Sequence, residues 1–80
     1  METTNNPMKM SKQCRLVLEY LYENGSITHH EADSELGIAR LAARIFDLAS
    51  KYGYVFDREI VYDTNRRGEP VHYARYRLAV

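Results

Sequence analysis

Hydrophobic residues recur at helical spacing through the first two thirds of the chain, and the first such pattern follows Ser11. A serine there can cap a helix, and Asn24-Gly25 marks its end. The apolar positions between them fall three and four residues apart: Cys14, Val17, Leu18 and Leu21. The spacing predicts a first helix over roughly residues 12–23, with one face turned to a core.

A second helix is predicted from a capping signal. Thr28-His29-His30-Glu31 has the spacing of a capping box, in which the threonine hydroxyl caps the helix and the Glu31 carboxylate reaches back. The helix is short, over about residues 29–36, with Ala32 and Leu36 facing inward. Before it, Ser26-Ile27-Thr28 is an extended link that can pair at the edge of a small sheet.

The strongest pattern is the stretch Gly37–Gly53. Its apolar stripe recurs at four-, three- and four-residue steps, flanked by Ala42 and Ala49: Leu41, Ile45, Leu48 and Tyr52. The other side carries polar, charged and small residues: Arg40, Ala43, Arg44, Asp47, Ser50 and Lys51. Gly53 supplies a helix end, and the N-cap is predicted at Ala39.

The second and third helices are joined by Leu36-Gly37-Ile38, a tight connection that bends one helix onto the next. Two helices joined in this way indicate a helix-turn-helix, in which Ala39–Tyr52 is the helix that would enter a DNA groove.

After Gly53 the hydrophobic period changes to two, which predicts strands over Tyr54–Asp63 and Val71–Val80. The intervening Thr64–Glu69 is a hairpin turn, in which Asn65 and Gly68 are expected at positive φ. The prediction is an α+β winged helix-turn-helix, in order α1-β1-α2-α3-β2-β3. Residues 11–80 form the domain, and residues 1–10 are expected to be a flexible arm.

Length, composition and charge narrow the function classes. Eighty residues form one small domain, in which an exposed binding surface costs less than an enclosed cleft. Net charge is zero, but residues 1–37 hold three basic against six acidic residues, and residues 38–80 hold eight against five. The cationic part is therefore the part with the third helix and the hairpin, and seven of its eight basic residues are arginines, which suit phosphate and guanine.

Several classes are not expected. The lone Cys14 fits a packed thiol in a reducing cytoplasm. No apolar run approaches the roughly 20 residues of a membrane span. Neither a metal-ligand spacing nor a catalytic constellation is present, so we expect no cofactor, no metal and no enzyme activity.

Four segments carry a family resemblance: Gly25-Ser26-Ile27-Thr28, Leu36-Gly37-Ile38, Arg40-Leu41-Ala42-Ala43-Arg44-Ile45 and Tyr73-Ala74-Arg75-Tyr76-Arg77-Leu78. Over about residues 13–78 the chain resembles small winged helix-turn-helix domains found mainly in bacteriophages and prophages. The resemblance implies a winged-helix fold and DNA binding.

The candidate DNA-binding residues lie on the third helix, at the hairpin tip and on the last strand: Arg40, Ala43, Arg44, Asp47, Lys51, Arg66, Arg67, Gly68, Arg75 and Arg77. Arg40 and Arg44 are expected opposite the apolar stripe, on guanine edges or phosphates. The alternative for the helix is a solvated face, with Asp47 paired to Arg44 or to Lys51. The alternative for Arg66 and Arg67 is a turn that is charged only because it is exposed.

Two functions remain open. The first is sequence-specific binding of double-stranded DNA, as a phage or prophage transcriptional regulator or accessory factor. The second is a protein-interaction module that inhibits a host polymerase or defence complex, which the neutral net charge favours. A homodimer is compatible with either function.

Overall fold

The six secondary-structure elements follow the predicted order. The computed structural model describes residues 10–79. Its elements are α1 (Lys12–Asn24), β1 (Ile27–Thr28), α2 (His29–Leu36), α3 (Leu41–Tyr52), β2 (Phe56–Thr64) and β3 (Pro70–Leu78). The predicted arm falls outside the described residues except for Met10, which packs against the core. No helix in the described part of the chain has the length and apolar character needed to cross a bilayer.

The starts of α1 and α2 are capped as predicted. The Ser11 hydroxyl accepts a hydrogen bond from the Cys14 N–H at 3.2 Å. Both bonds of the capping box form, since the Glu31 N–H donates to Thr28 Oγ1 at 3.2 Å and the Thr28 N–H donates to Glu31 Oε1 at 2.9 Å. Such caps satisfy donors that helix geometry leaves without partners.

The start of α3 differs from the prediction by one residue. The N-cap is Arg40 rather than Ala39, and no side chain caps this end. The reason lies in the turn, where the buried Ile38 is held by its N–H bond to Ala32 O at 2.9 Å. The first bond of α3 then runs from Arg44 N–H to Arg40 O at 3.3 Å, so the helix begins after Arg40.

The core lies between the three helices and β1. Its buried members are Cys14, Val17, Leu18, Leu21, Ile27, Ala32, Ile38, Leu41, Ile45 and Leu48. The predicted stripe of α3 is confirmed, with Tyr52 partly buried at its end, and Gly53 ends the helix at φ 76°. Ala42 and Ala49, which flank the stripe, are exposed.

The three strands form an antiparallel sheet in the order β1-β3-β2. β2 and β3 pair along their full length, from Phe56 opposite Leu78 to Thr64 opposite Pro70. β2 starts two residues later than predicted because the Tyr54 N–H is used by Leu48 O, at 3.2 Å, at the end of α3. β3 starts one residue earlier than predicted and ends at Leu78.

β1 ties this hairpin to the helices. It pairs with β3 through only two positions, Ile27 opposite Tyr76 and Thr28 opposite Arg75. Thr28 is also the N-cap of α2, so one residue belongs to the sheet and to the start of the helix-turn-helix.

The hairpin turn uses Asn65 in a way that differs from the prediction. Gly68 has the expected positive φ of 78°, but Asn65 does not have a positive φ. Its side chain acts instead, because Asn65 Oδ1 accepts from the Arg67 N–H at 2.9 Å and from the Glu69 N–H at 3.0 Å. These bonds fix the backbone that carries Arg66 and Arg67.

Candidate nucleic-acid interface

The amino end of α3 combines an uncapped helix terminus with an exposed arginine. No side chain caps the first turn, and Arg40 stands at the N-cap position. Within residues 10–79, Arg40 forms no ion pair. Free backbone N–H groups and a guanidinium at one place suit an anionic oxygen such as that of a phosphate.

The half-buried Arg44 side chain is held by contacts with other residues of the protein and does not extend freely into solvent. Its Nη1 donates to Gln13 Oε1 on α1 at 3.2 Å, and its Nη2 lies 3.3 Å from Asp47 Oδ2. Lys51 Nζ reaches the other oxygen of Asp47 at 3.9 Å. Arg44 therefore lies on the flank of α3 next to α1, and both ion pairs expected for a solvated face are present.

The hairpin tip presents two arginines. Arg66 and Arg67 are exposed, and neither takes part in an ion pair among the described residues. The turn that carries them is held by the Asn65 side chain, as described above. A tip that is held by side-chain hydrogen bonds and carries two exposed arginines is suited to backbone contacts, because phosphates are spaced regularly along any duplex.

The base of the hairpin holds a second arginine pair whose charge is partly compensated. Arg75 and Arg77 lie on one face of β3, and both approach Glu59 on β2. Arg77 Nη1 donates to Glu59 Oε1 at 2.6 Å, and Arg75 Nη1 lies 3.8 Å from the same oxygen. A single carboxylate thus engages two of the predicted contact residues.

Negative charge collects around Tyr20, between α1 and α2. Burial raises the pKa of the Tyr20 phenol above its ordinary value of 10.0, and the nearby carboxylates of Glu31 and Glu35 raise it further. Removing a proton there would place a third negative charge beside two others. Two carboxylates from the acidic part of the sequence therefore lie on α2 near Tyr20 of α1.

One exposed residue of α3 was absent from the sequence-based candidates. Phe46 is 69% exposed and does not pack against the core. The signal was available in the sequence, because Phe46 falls one position after Ile45 and therefore off the buried stripe. This large aromatic residue on the polar side of α3 is therefore a further candidate contact residue.

The comparison with protein families decides the class of the fold. The family model of the winged helix-turn-helix domain matches residues 12–80. The chain belongs to this family. No curated protein and no solved structure matches the chain significantly.

In this winged helix domain, α2 and α3 form the helix-turn-helix and the β2–β3 hairpin is the wing. The winged helix-turn-helix is a non-catalytic fold that suggests DNA binding. Of the predicted contacts, Arg40 lies at the start of α3 and Arg66, Arg67 and Gly68 lie at the wing tip. The remaining charged candidates, on α3 and on β3, are held in internal ion pairs.

Proposed function

We propose that this winged helix domain binds double-stranded DNA in a sequence-specific manner. α3 lies in the major groove and the Arg66–Gly68 tip lies along the adjacent backbone. The observation that carries the proposal is the exposure of Arg40, Arg66 and Arg67 on the two elements that a winged helix presents to DNA. Within the described residues, none of the three is neutralised by a carboxylate.

The candidate residues divide into two roles under this proposal. Arg40 contacts a base edge or a phosphate, and the short side chain of Ala43 leaves space beside Arg40. The tip arginines contact the phosphate backbone. The second group forms ion pairs in the free protein and exchanges those carboxylates for phosphates on binding: Arg44 and Lys51 with Asp47, and Arg75 and Arg77 with Glu59. The resemblance to phage and prophage domains supports a role as a transcriptional regulator or accessory factor.

The test is selection of binding sites from a pool of random duplexes, followed by affinity measurements on the selected sequence. If Arg40 makes a bidentate contact to guanine, Arg40→Ala should lose about 1–3 kcal/mol of discrimination at one base pair. Arg15→Ala is the matched control, because Arg15 is an exposed arginine of α1 outside the proposed interface. Selection of an inverted repeat would indicate binding as a homodimer.

An alternative function is supported by the charge distribution. Zero net charge and the internal pairing of Arg44, Arg75 and Arg77 favour a module that binds and inhibits a host polymerase or defence complex. The two functions differ in their response to salt. DNA binding weakens steeply as salt rises, because counterions are released, whereas a partly apolar protein interface does not behave in this way. A salt-insensitive complex with a host protein, and no selected duplex, would contradict the DNA proposal.

A further inference from the structure

Phe46 has only short side chains as its nearest neighbours along the surface of α3. On a helix surface, a side chain adjoins the residues three and four positions before and after it. For Phe46 these four residues are Ala42, Ala43, Ala49 and Ser50. Since each of them is short, 69% of Phe46 stays accessible.

The surroundings of the ring are also apolar. Three of the four neighbours end in methyl groups, and the Ser50 hydroxyl is occupied by its hydrogen bond to Phe46 O at 2.8 Å. We call Phe46 with Ala42, Ala43, Ala49 and Ser50 the Phe46 patch. An apolar patch of this size on a helix face fits a single apolar group better than a phosphate.

The patch lies on the outward side of the recognition helix. At about 100° per residue, Phe46 is about 130° from the centre of the buried stripe, and Arg40 is about 110° from it on the opposite flank. The outward side of α3 therefore has an aromatic ring at one rim and, at the other, an arginine that forms no ion pair among residues 10–79. The charge of Arg40, and of the wing tip beyond it, is complementary to DNA rather than to an apolar protein surface.

We propose that Phe46 is a specificity-determining residue that recognises thymine by packing against its C5-methyl group in the major groove. That methyl is the one apolar group that base edges present there. The inference rests on the proposed function and deepens it. The Cα atoms of Arg40 and Phe46 are separated by about 9 Å along the helix axis, from six steps of about 1.5 Å. At about 3.4 Å per base pair, the thymine lies two to three base pairs from the one that Arg40 contacts.

The experiment removes one methyl group at a time. In the duplex selected by the unaltered domain, each thymine in turn is replaced by uracil, which keeps every hydrogen-bonding group and lacks only the methyl. Burial of one such group corresponds to about a fourfold change in Kd. We expect one or two thymines at which uracil weakens binding by about that factor, and we expect Phe46→Ala to bind both duplexes equally.

Two further variants complete the design. Phe46→Leu retains an apolar side chain and should retain part of the uracil effect. Tyr22→Ala removes a similarly exposed aromatic residue from α1 and should leave the effect unchanged. Because Phe46 is 69% exposed and is not a member of the buried core, Phe46→Ala should melt like the parent. If it does not, Phe46→Leu carries the comparison.

The outcomes separate the two proposals. If the domain selects a duplex but no uracil substitution distinguishes the parent from the Phe46 variants, the thymine assignment is overturned and DNA binding stands. If no duplex is selected at all, both fail. If Phe46→Ala leaves the duplex affinity and sequence preference intact but abolishes capture of a host protein, the patch is a protein-docking surface and the thymine assignment is again overturned.

Discussion

The helical body and the outer hairpin differ in the interactions that stabilise them. The body, residues 10–54, which include β1, is organised around ten buried hydrophobic residues. In the outer hairpin, residues 57–72, every residue except Val61 is exposed. Its structure depends on the backbone ladder between β2 and β3 and on the Asn65 turn. Substitutions in the body should therefore change stability, and those in the outer hairpin should change binding.

The largest effect is expected in the body. Leu48 is fully buried in α3, and Leu48→Ala should lower the free energy of unfolding by about 2–5 kcal/mol, because it leaves a cavity in a small core. Chemical denaturation would measure the change. Phe46→Ala is the matched control on the same helix, and an equal loss in both variants would contradict the division between buried and exposed faces.

The next largest effect is expected on DNA affinity when the two arginines of the wing tip are replaced. The double variant Arg66→Ala, Arg67→Ala should weaken binding to all duplexes by a similar factor and leave the melting temperature unchanged. If each arginine neutralises one phosphate, the slope of log K against log salt should become shallower by about 0.9 for each, or about 1.8 together. An unaltered slope would show that the tip does not contact DNA.

A smaller effect of opposite sign is expected at the base of the hairpin. Glu59→Gln removes the carboxylate shared by Arg75 and Arg77, so duplex binding should become tighter and its salt slope steeper. Stability should change by only about 0–1 kcal/mol, as for other exposed ion pairs. Asp57→Asn is the control, since Asp57 is an exposed acid of the same strand that forms no ion pair among residues 10–79. Equal gains from both variants would indicate a general effect of charge rather than release of the arginines.

The smallest effect is a loss of stability at alkaline pH, and it is expected from two tyrosines of the body, Tyr20 and Tyr54. Burial raises the pKa of Tyr54, and the charge of Tyr22 and a side-chain hydrogen bond with Tyr22 raise it further. The pKa of Tyr20 is also raised, as described above. The folded domain thus keeps both phenols protonated above pH 10, where the unfolded chain loses their protons. Stability should therefore be independent of these groups below about pH 10 and should fall as pH rises through the folded pKa values.

Denaturation at two pH values measures this effect. The double variant Tyr20→Phe, Tyr54→Phe should lose less stability between pH 9 and pH 11 than the parent, because it has no phenol to ionise at either position. Tyr62→Phe, in the outer hairpin, is the control. An equal loss in the parent and the double variant would assign the alkaline transition to other groups.

Features set by short-range chemistry could be predicted from the sequence. The Thr28–Glu31 capping box, the α3 stripe and the end of α3 at Gly53 each depend on residues within a few positions of one another. The N-cap of α3 could not be placed, because the buried Ile38 and its bond to Ala32 determine where the helix begins. Asn65 was assigned to the turn correctly, but its side-chain bonds replaced the expected positive φ.

The availability of each arginine was harder to predict than its position. Arg44 and Arg40 are four residues apart in one helix, yet only Arg44 meets Gln13, which is 31 positions away. Arg75 and Arg77 are compensated by a residue on the partner strand, and that pairing depends on the hairpin register. Long-range geometry of this kind has no local sequence signal. Phe46 is different, because its position beside the buried stripe can be read from the sequence alone.

The double role of Thr28 has a mechanical consequence. It ends β1 and caps α2 with no residue in between, so α2 is connected directly to the strand that pairs with the base of the hairpin. Under the proposed function, α3 and the wing should then contact the major groove and the neighbouring backbone at a fixed separation. Duplexes differ in groove width and stiffness according to sequence, so some fit that separation without being bent. Part of the selectivity of this domain would thus come from the shape of the duplex at base pairs that no side chain touches.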